Sequence, residues 1–166
     1  VTEFEDVPAL ISRMAEQLRQ HLSVDDETLM VGIHTGGVWV AKALHKKLGL
    51  RAPLGVLDIS FYRDDFTRIG MNPQVKTSEL PFTVDDRHIV LVDDVLHTGR
   101  TVRAAMNELF DYGRPASIVL AVLVERSGRE LPIEASAVGL HVQPAPGEHI
   151  KLSGPEPLRL EMKTSA

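Results

Sequence analysis

The sequence has 166 residues, 43% apolar and 25% charged, with no cysteine and a formal net charge of −5. That is one domain's worth of chain, long enough to bury roughly 70% of its unfolded surface. It excludes a disulfide framework, thiolate zinc sites and cysteine nucleophiles, and it argues against nucleic-acid recognition through bulk positive charge. No apolar run approaches the ~18 residues of a membrane-spanning helix. The opening Val1-Thr2-Glu3-Phe4-Glu5-Asp6 has neither the basic nor the apolar stretch of a secretory leader, so a cytoplasmic protein is expected.

In chain order, Val7 to Leu22 reads as an amphipathic helix, with Leu10, Ile11, Met14, Leu18 and Leu22 on one face, Asp6 as cap and Pro8 in the first turn. Leu29 to Ile33 is a buried strand. After His34-Thr35-Gly36-Gly37, a helix runs from Val38 to Leu48, turns Val40, Ala43, Leu44 and Leu48 inward and stops at Gly49. Gly55 to Phe61 and Ile89 to Val92 are strands. Gly99 to Tyr112 is a helix with Val102, Ala105, Met106, Leu109 and Phe110 inward. Ser117 to Val124 is a strand, and Val138 to Val142 and Leu158 to Met162 are shorter strand candidates. Wholly apolar strands alternating with helices predict an α/β fold, an open and mostly parallel sheet flanked by helices, in one domain spanning 1–166. Such sheets place ligands at the carboxyl ends of their strands. The stretch at about 62–88 has no clean periodicity and carries Arg63, Asp64, Asp65, Arg68 and Lys76, the pattern of a lid or binding loop.

The chemistry concentrates in Ile89-Val90-Leu91-Val92-Asp93-Asp94-Val95-Leu96-His97-Thr98-Gly99-Arg100-Thr101. Four apolar residues make a strand and two carboxylates stand at its end. A turn with Thr98, Gly99 and Thr101 then opens a helix. Unpaired N–H groups and the helix dipole favour an anion there, and Gly99 lets the backbone approach it. The Walker pattern G-x-x-x-x-G-K-[ST] is absent. The acids suit ribose hydroxyls or a divalent metal, so the run describes a ribose 5-phosphate site.

These thirteen residues resemble the PRPP-binding signature of the type I phosphoribosyltransferases. Asp58-Ile59-Ser60-Phe61-Tyr62-Arg63-Asp64-Asp65, Gly113-Arg114-Pro115, Leu120 to Arg126 and Arg129-Glu130-Leu131-Pro132-Ile133 resemble the PyrR family of pyrimidine-operon regulators, which are also uracil phosphoribosyltransferases. The resemblance implies transfer of phosphoribose from PRPP to uracil, giving UMP and pyrophosphate. It also implies Mg²⁺ carried by PRPP oxygens and water, with Asp93 as a candidate direct ligand, and a homodimer or higher homo-oligomer. By resemblance Asp93, Asp94, Arg63 and His97 are catalytic candidates. His97, Thr98, Gly99, Arg100 and Thr101 hold the 5-phosphate, and Thr35, Gly36 and Gly37 the pyrophosphate. Val124, Glu125, Arg126 and Val142 seat the base beneath a hood at about 125–146 plus part of the C-terminal segment. A UMP-dependent face for a leader mRNA hairpin falls on Ser12, Arg13 and Arg129. The chain departs from relatives at Gly36 (Arg), Gly128 (His), Glu134 (Arg) and Leu140-His141 (Lys-Asn). The rival reading is a non-catalytic sensor of PRPP or nucleotide. A receiver-type domain, which also ends a strand in paired aspartates, would carry them on its first strand.

Overall fold

The computed structural model describes residues 4–22, 27–59 and 78–164. Helix α1 (Val7–His21) begins as its sequence dictates: the Asp6 carboxylate accepts from the Ala9 N–H at 2.9 Å, and a proline sits in the first turn. Such a cap is worth about 1 kcal/mol. Strand β1 (Leu29–Ile33) is buried throughout. Helix α2 (Gly36–Leu48) ends at Gly49, whose φ of 66° lets its N–H return to the His45 and Lys46 carbonyls. Strand β2 (Gly55–Leu57), strand β3 (His88–Leu96), helix α3 (Arg100–Tyr112), strand β4 (Ser117–Arg126) and strand β5 (Ala137–Val142) follow.

The five strands form one parallel sheet in the order β2-β1-β3-β4-β5. Alternate residues face opposite ways, so two cores result. Met30, Val90, Val92, Ala121 and Leu123 pack with α1 and α2. Leu29, Val31, Ile33, Ile89, Leu91, Leu120 and Val122 pack with α3. Because α2 leads from β1 to β2 and α3 leads from β3 to β4, the connections leave adjacent strands in opposite directions. The topological switch point therefore lies at the carboxyl ends of β1 and β3, the place where open α/β sheets bind ligands.

Each sheet edge is engaged at one residue, which hinders edge-to-edge pairing with another chain there. At β5 the Gln17 amide donates to the Val138 carbonyl (2.8 Å) and accepts from the Val138 N–H (2.9 Å). At β2, Glu79 forms an antiparallel bridge with Val56.

Several elements differ from the sequence reading. Strand β3 runs on through Asp93 and Asp94 to Leu96, because Val95 and Leu96 continue the ladder with β4; the acids therefore lie within the strand. Likewise β4 includes Glu125 and Arg126. Phe110 is 55% exposed, since Val102, Ala105 and Leu109 already fill the inward stripe of α3. The C-terminal segment is an antiparallel hairpin of β6 (Glu148–Ser153) and β7 (Arg159–Thr164), forming a second small sheet. Its Ile150, Leu152 and Leu160 pack on the α1/α2 core. Strand β6 escaped the sequence reading because its alternation is short and mixed with charge.

Candidate functional site

The site is built where the turn into α2 meets the acid-bearing end of strand β3. That turn leaves β1 through His34 and Thr35, and Thr35 N-caps the helix without a side-chain capping bond. A Cβ placed on Gly36 would lie 2.1 Å from Asp94 Oδ2, and one on Gly37 would lie 2.7 Å from the Val92 carbonyl oxygen and 3.1 Å from Asp93 Oδ1. Two consecutive glycines therefore allow the turn to approach the carboxylates. Asp93 is nearly fully buried, and its Oδ1 accepts from the Asp94 N–H at 2.8 Å. Asp94 is half-buried; its Oδ1 accepts from the Val95 N–H at 2.8 Å, and its Oδ2 is the oxygen turned to Gly36.

The second turn joins β3 to α3. Gly99 stands at the helix N-cap with φ 95°, and a Cβ there would be 3.0 Å from Ile133. The Thr98 Oγ1 accepts from the Arg100 N–H (3.2 Å), which leaves its own hydrogen to donate outward. The Arg100 side chain turns to Glu130 (2.9 Å), so the cation that the sequence suggests for phosphate is paired with the hood. Thr101 is exposed on the first turn of α3. His97 follows the last strand residue, its Nε2 2.8 Å from where a Gly128 Cβ would stand. Burial and the Arg126 charge, opposed by Glu130 and reinforced by Arg129 and His149, hold the imidazole below the usual histidine range. It is therefore neutral at pH 7 and able to accept a proton.

Beyond β4 and β5 lies a cavity of about 400 Å³ lined by Glu125, Arg126, Ser127, Gly128, Arg129, His141, Val142 and Gln143. Three of the four base-seating candidates, Glu125, Arg126 and Val142, line it. Val124 does not: it is fully buried in the α1/α2 core, so its side chain cannot face the cavity. Glu125 is held on both oxygens, by Arg129 (2.5 Å) and by His141 (3.5 Å).

The residues suggested for RNA are already engaged. Arg13 donates to the Gly139 carbonyl (2.7 Å) and pairs with Glu5 (2.8 Å). The Arg129 guanidinium reaches Glu125 and three main-chain carbonyls, those of His97, Arg126 and Ile133. Ser12 lines a separate apolar groove with Ile11, Ala43 and Pro155. Arg63, with Arg68 and Lys76, lies outside the described residues, as do 62–77 of the expected lid. Its end at 78–88 lies against the sheet: Val84 is buried, Leu80 and Phe82 pack on the α3-side core, and His88 begins β3.

Sequence reasoning missed two features. The main-chain N–H groups of Glu130 and Leu131 both donate to the Thr98 carbonyl (2.9 and 3.1 Å), tying the 130–131 segment to the turn that opens α3. Beneath β2, the Ser78 hydroxyl donates to Glu108 (2.6 Å) and accepts from the Asp58 N–H (2.9 Å). Burial, with Asp58 and Asp111 nearby, raises the Glu108 carboxyl against the opposing Ser78 hydrogen bond. Neither contact has a local sequence signature, because each joins residues at least twenty apart.

For Mg²⁺ the oxygen donors Asp93 and Asp94 have the right chemistry. Among the described residues no cluster of three or more His, Asp or Glu side chains could hold an ion alone. The fit is therefore to a cation shared with substrate oxygens, with half-buried Asp94 more accessible than the nearly fully buried Asp93.

Residues 1–153 match the phosphoribosyl transferase domain family. The chain is 59% identical over 162 residues to a Bifunctional protein PyrR from Nitrosococcus oceani, covering 95% of this chain and 92% of that protein. It is 58% identical over 156 residues to a Bifunctional protein PyrR from Pseudomonas paraeruginosa, covering 93% and 92%. Among solved structures it is similar to a hypoxanthine-guanine phosphoribosyltransferase from Bacillus anthracis, with TM-score 0.66 and 16% identity, covering 90% of this chain and 87% of that one. It is also similar to a purine phosphoribosyltransferase from Pyrococcus horikoshii, with TM-score 0.60, 25% identity and 80% of each chain covered.

Proposed function

The chain belongs to the phosphoribosyltransferase family, among the PyrR proteins, and from that premise we propose that it transfers the 5-phosphoribosyl group of PRPP to N1 of uracil, giving UMP and pyrophosphate. The observation that carries this reading is a close contact: the Gly36-Gly37 start of α2 lies against the Asp93-Asp94 pair of β3, which runs into the turn that opens α3. One pocket thereby offers main-chain donors for two phosphate groups on either side of a pair of acids suited to a sugar diol.

The bond from ribose C1 to the pyrophosphate oxygen breaks, positive charge develops on the ribose and negative charge on the leaving group, and N1 of the base takes C1 while losing its proton. The chain's part is positioning and electrostatics. Asp94, aided by Asp93, holds the ribose hydroxyls. The main-chain N–H groups of Thr98, Gly99 and Thr101 anchor the 5-phosphate and fix C1 relative to the base cavity. The Thr35-Gly36-Gly37 turn receives the pyrophosphate. Neutral His97, beside the cavity, is placed to take up the base proton. Asp94 would share a Mg²⁺ with substrate oxygens, and that ion supplies charge neutralisation at the leaving group when bound. Arg63 is proposed to add cationic help from the 62–77 segment.

The second activity implied by the relatives' name is proposed here as UMP-responsive control of pyrimidine genes through leader RNA, in a cytoplasmic homo-oligomer. Arg13 and Arg129 are poor candidates for its phosphate contacts, because each would first have to give up a carboxylate. A turnover assay with PRPP, Mg²⁺ and uracil tests the enzyme reading. Formation of UMP supports it; binding of PRPP without turnover would make the chain a sensor instead.

A further inference from the structure

We propose that Arg129 is a positioning residue for the 5-phosphate turn, turning the main-chain N–H groups of Thr98 and Gly99 toward the phosphate and linking that turn to the base cavity. The inference rests on the phosphate reading of the turn and adds what shapes it. Arg129 Nη1 donates to the His97 carbonyl at 2.5 Å, while the Glu130 and Leu131 N–H groups donate to the Thr98 carbonyl at 2.9 and 3.1 Å. Two successive carbonyls are thus drawn toward the 129–131 segment. Both peptide bonds are trans, and a trans peptide points its N–H opposite to its C=O. The N–H groups of Thr98 and Gly99 are consequently turned away from the hood, to the side on which the helix dipole already favours an anion.

The remaining guanidinium contacts fix Arg129 itself. Nε donates to the Ile133 carbonyl at 3.0 Å, Nη1 reaches the Arg126 carbonyl at 3.4 Å, and Nη2 pairs with Glu125. Glu125 lines the base cavity. One planar group therefore joins the wall of the base cavity to the phosphate turn. Lysine cannot reproduce this, because a point charge has no fork to span carbonyls and a carboxylate together. The side chain is about a quarter exposed, so it holds these partners with limited competition from water.

The test is calorimetric binding of ribose 5-phosphate, which carries no base, to wild type, Arg129→Lys and Glu125→Gln, with thermal melts alongside. Arg129→Lys keeps the charge and loses the geometry. It should bind about tenfold or more weakly, and its KM for PRPP should rise by more than its kcat falls. Glu125→Gln leaves the carbonyl contacts but frees one side of the guanidinium, so it should weaken ribose 5-phosphate a few-fold, although it lies on the base side. A folded Arg129→Lys with wild-type affinity would overturn the inference while leaving the site reading intact. If that variant does not fold, wild-type affinity in Glu125→Gln overturns it instead. Absence of ribose 5-phosphate binding by the wild type would remove the site reading and this inference together.

Discussion

Asp94 stands in β3 where the Gly36 end of α2 comes against the acid pair, four residues before the turn that opens α3. Asp94→Asn keeps the volume and the Val95 capping contact but removes the charge. It should lower phosphoribosyl transfer by about tenfold or more with an unchanged melting temperature; equal steady-state kinetics would refute the assignment. His97 gives a pH test. Its folded-state pKa lies below the free value, through burial and Arg126 first, with Glu130 opposing and Arg129 and His149 adding. The unfolded chain therefore binds the proton more readily. The stabilisation is fully present above about pH 6.5 and is lost as pH falls through the lower folded value. Urea midpoints between pH 7.5 and 5 should drop more for wild type than for His97→Asn. These residues stand out as candidates in the sequence because an apolar strand, two acids and a threonine-glycine turn sit within thirteen consecutive positions. What Arg129 and Arg13 do was not legible there, because their partners are carbonyls and carboxylates brought close only by the fold.

At the level of elements, the strand-to-helix turn after β3 depends on Gly99. Its φ of 95° strains any side chain there, and a Cβ would meet the Ile133 side chain at 3.0 Å. Gly99→Ala should lower stability by about 1–2 kcal/mol from backbone strain and weaken ribose 5-phosphate as the N-terminus of α3 shifts. Wild-type denaturant midpoints would show the turn to be more compliant than this. On the same helix, Glu108 carries a carboxyl whose pKa is raised by burial and by Asp58 and Asp111. Its contribution is greatest at low pH, below the ordinary glutamate value, and is lost as pH rises through the folded one. Glu108→Gln keeps an acceptor for Ser78 and removes the charge, so its melting temperature should exceed wild type at pH 8 and converge with it near pH 4. Helix starts and stops were readable, as at Asp6 and Gly49, because caps are local chemistry. Strand ends were not. Val95-Leu96 and Glu125-Arg126 stay in the ladder because β3 and β4 pair with each other, and nothing within either segment records that partnership.

For the whole molecule, the parallel class followed from continuous apolar strands separated by helices. The order β2-β1-β3-β4-β5 is a matter of which strands meet, and the C-terminal hairpin packs on the α1/α2 core by contacts about a hundred or more residues away. Among the described residues no helix is long and apolar enough to cross a membrane. With a net charge of −5 and with Arg13 and Arg129 paired internally, a leader hairpin would be held by few phosphate contacts. Gel shifts in the presence of UMP should weaken by less than about tenfold between about 50 and 200 mM salt. A steeper slope would mean a basic face that the described residues do not present. The anion turn after β3 has one more consequence. If its donors are the main-chain amides proposed above, an inhibitor anchored there by a phosphonate would rest mainly on groups that no side-chain substitution deletes outright, the Thr98 hydroxyl apart. Escape would require reshaping the turn, and the same change would impair the grip on the natural substrate.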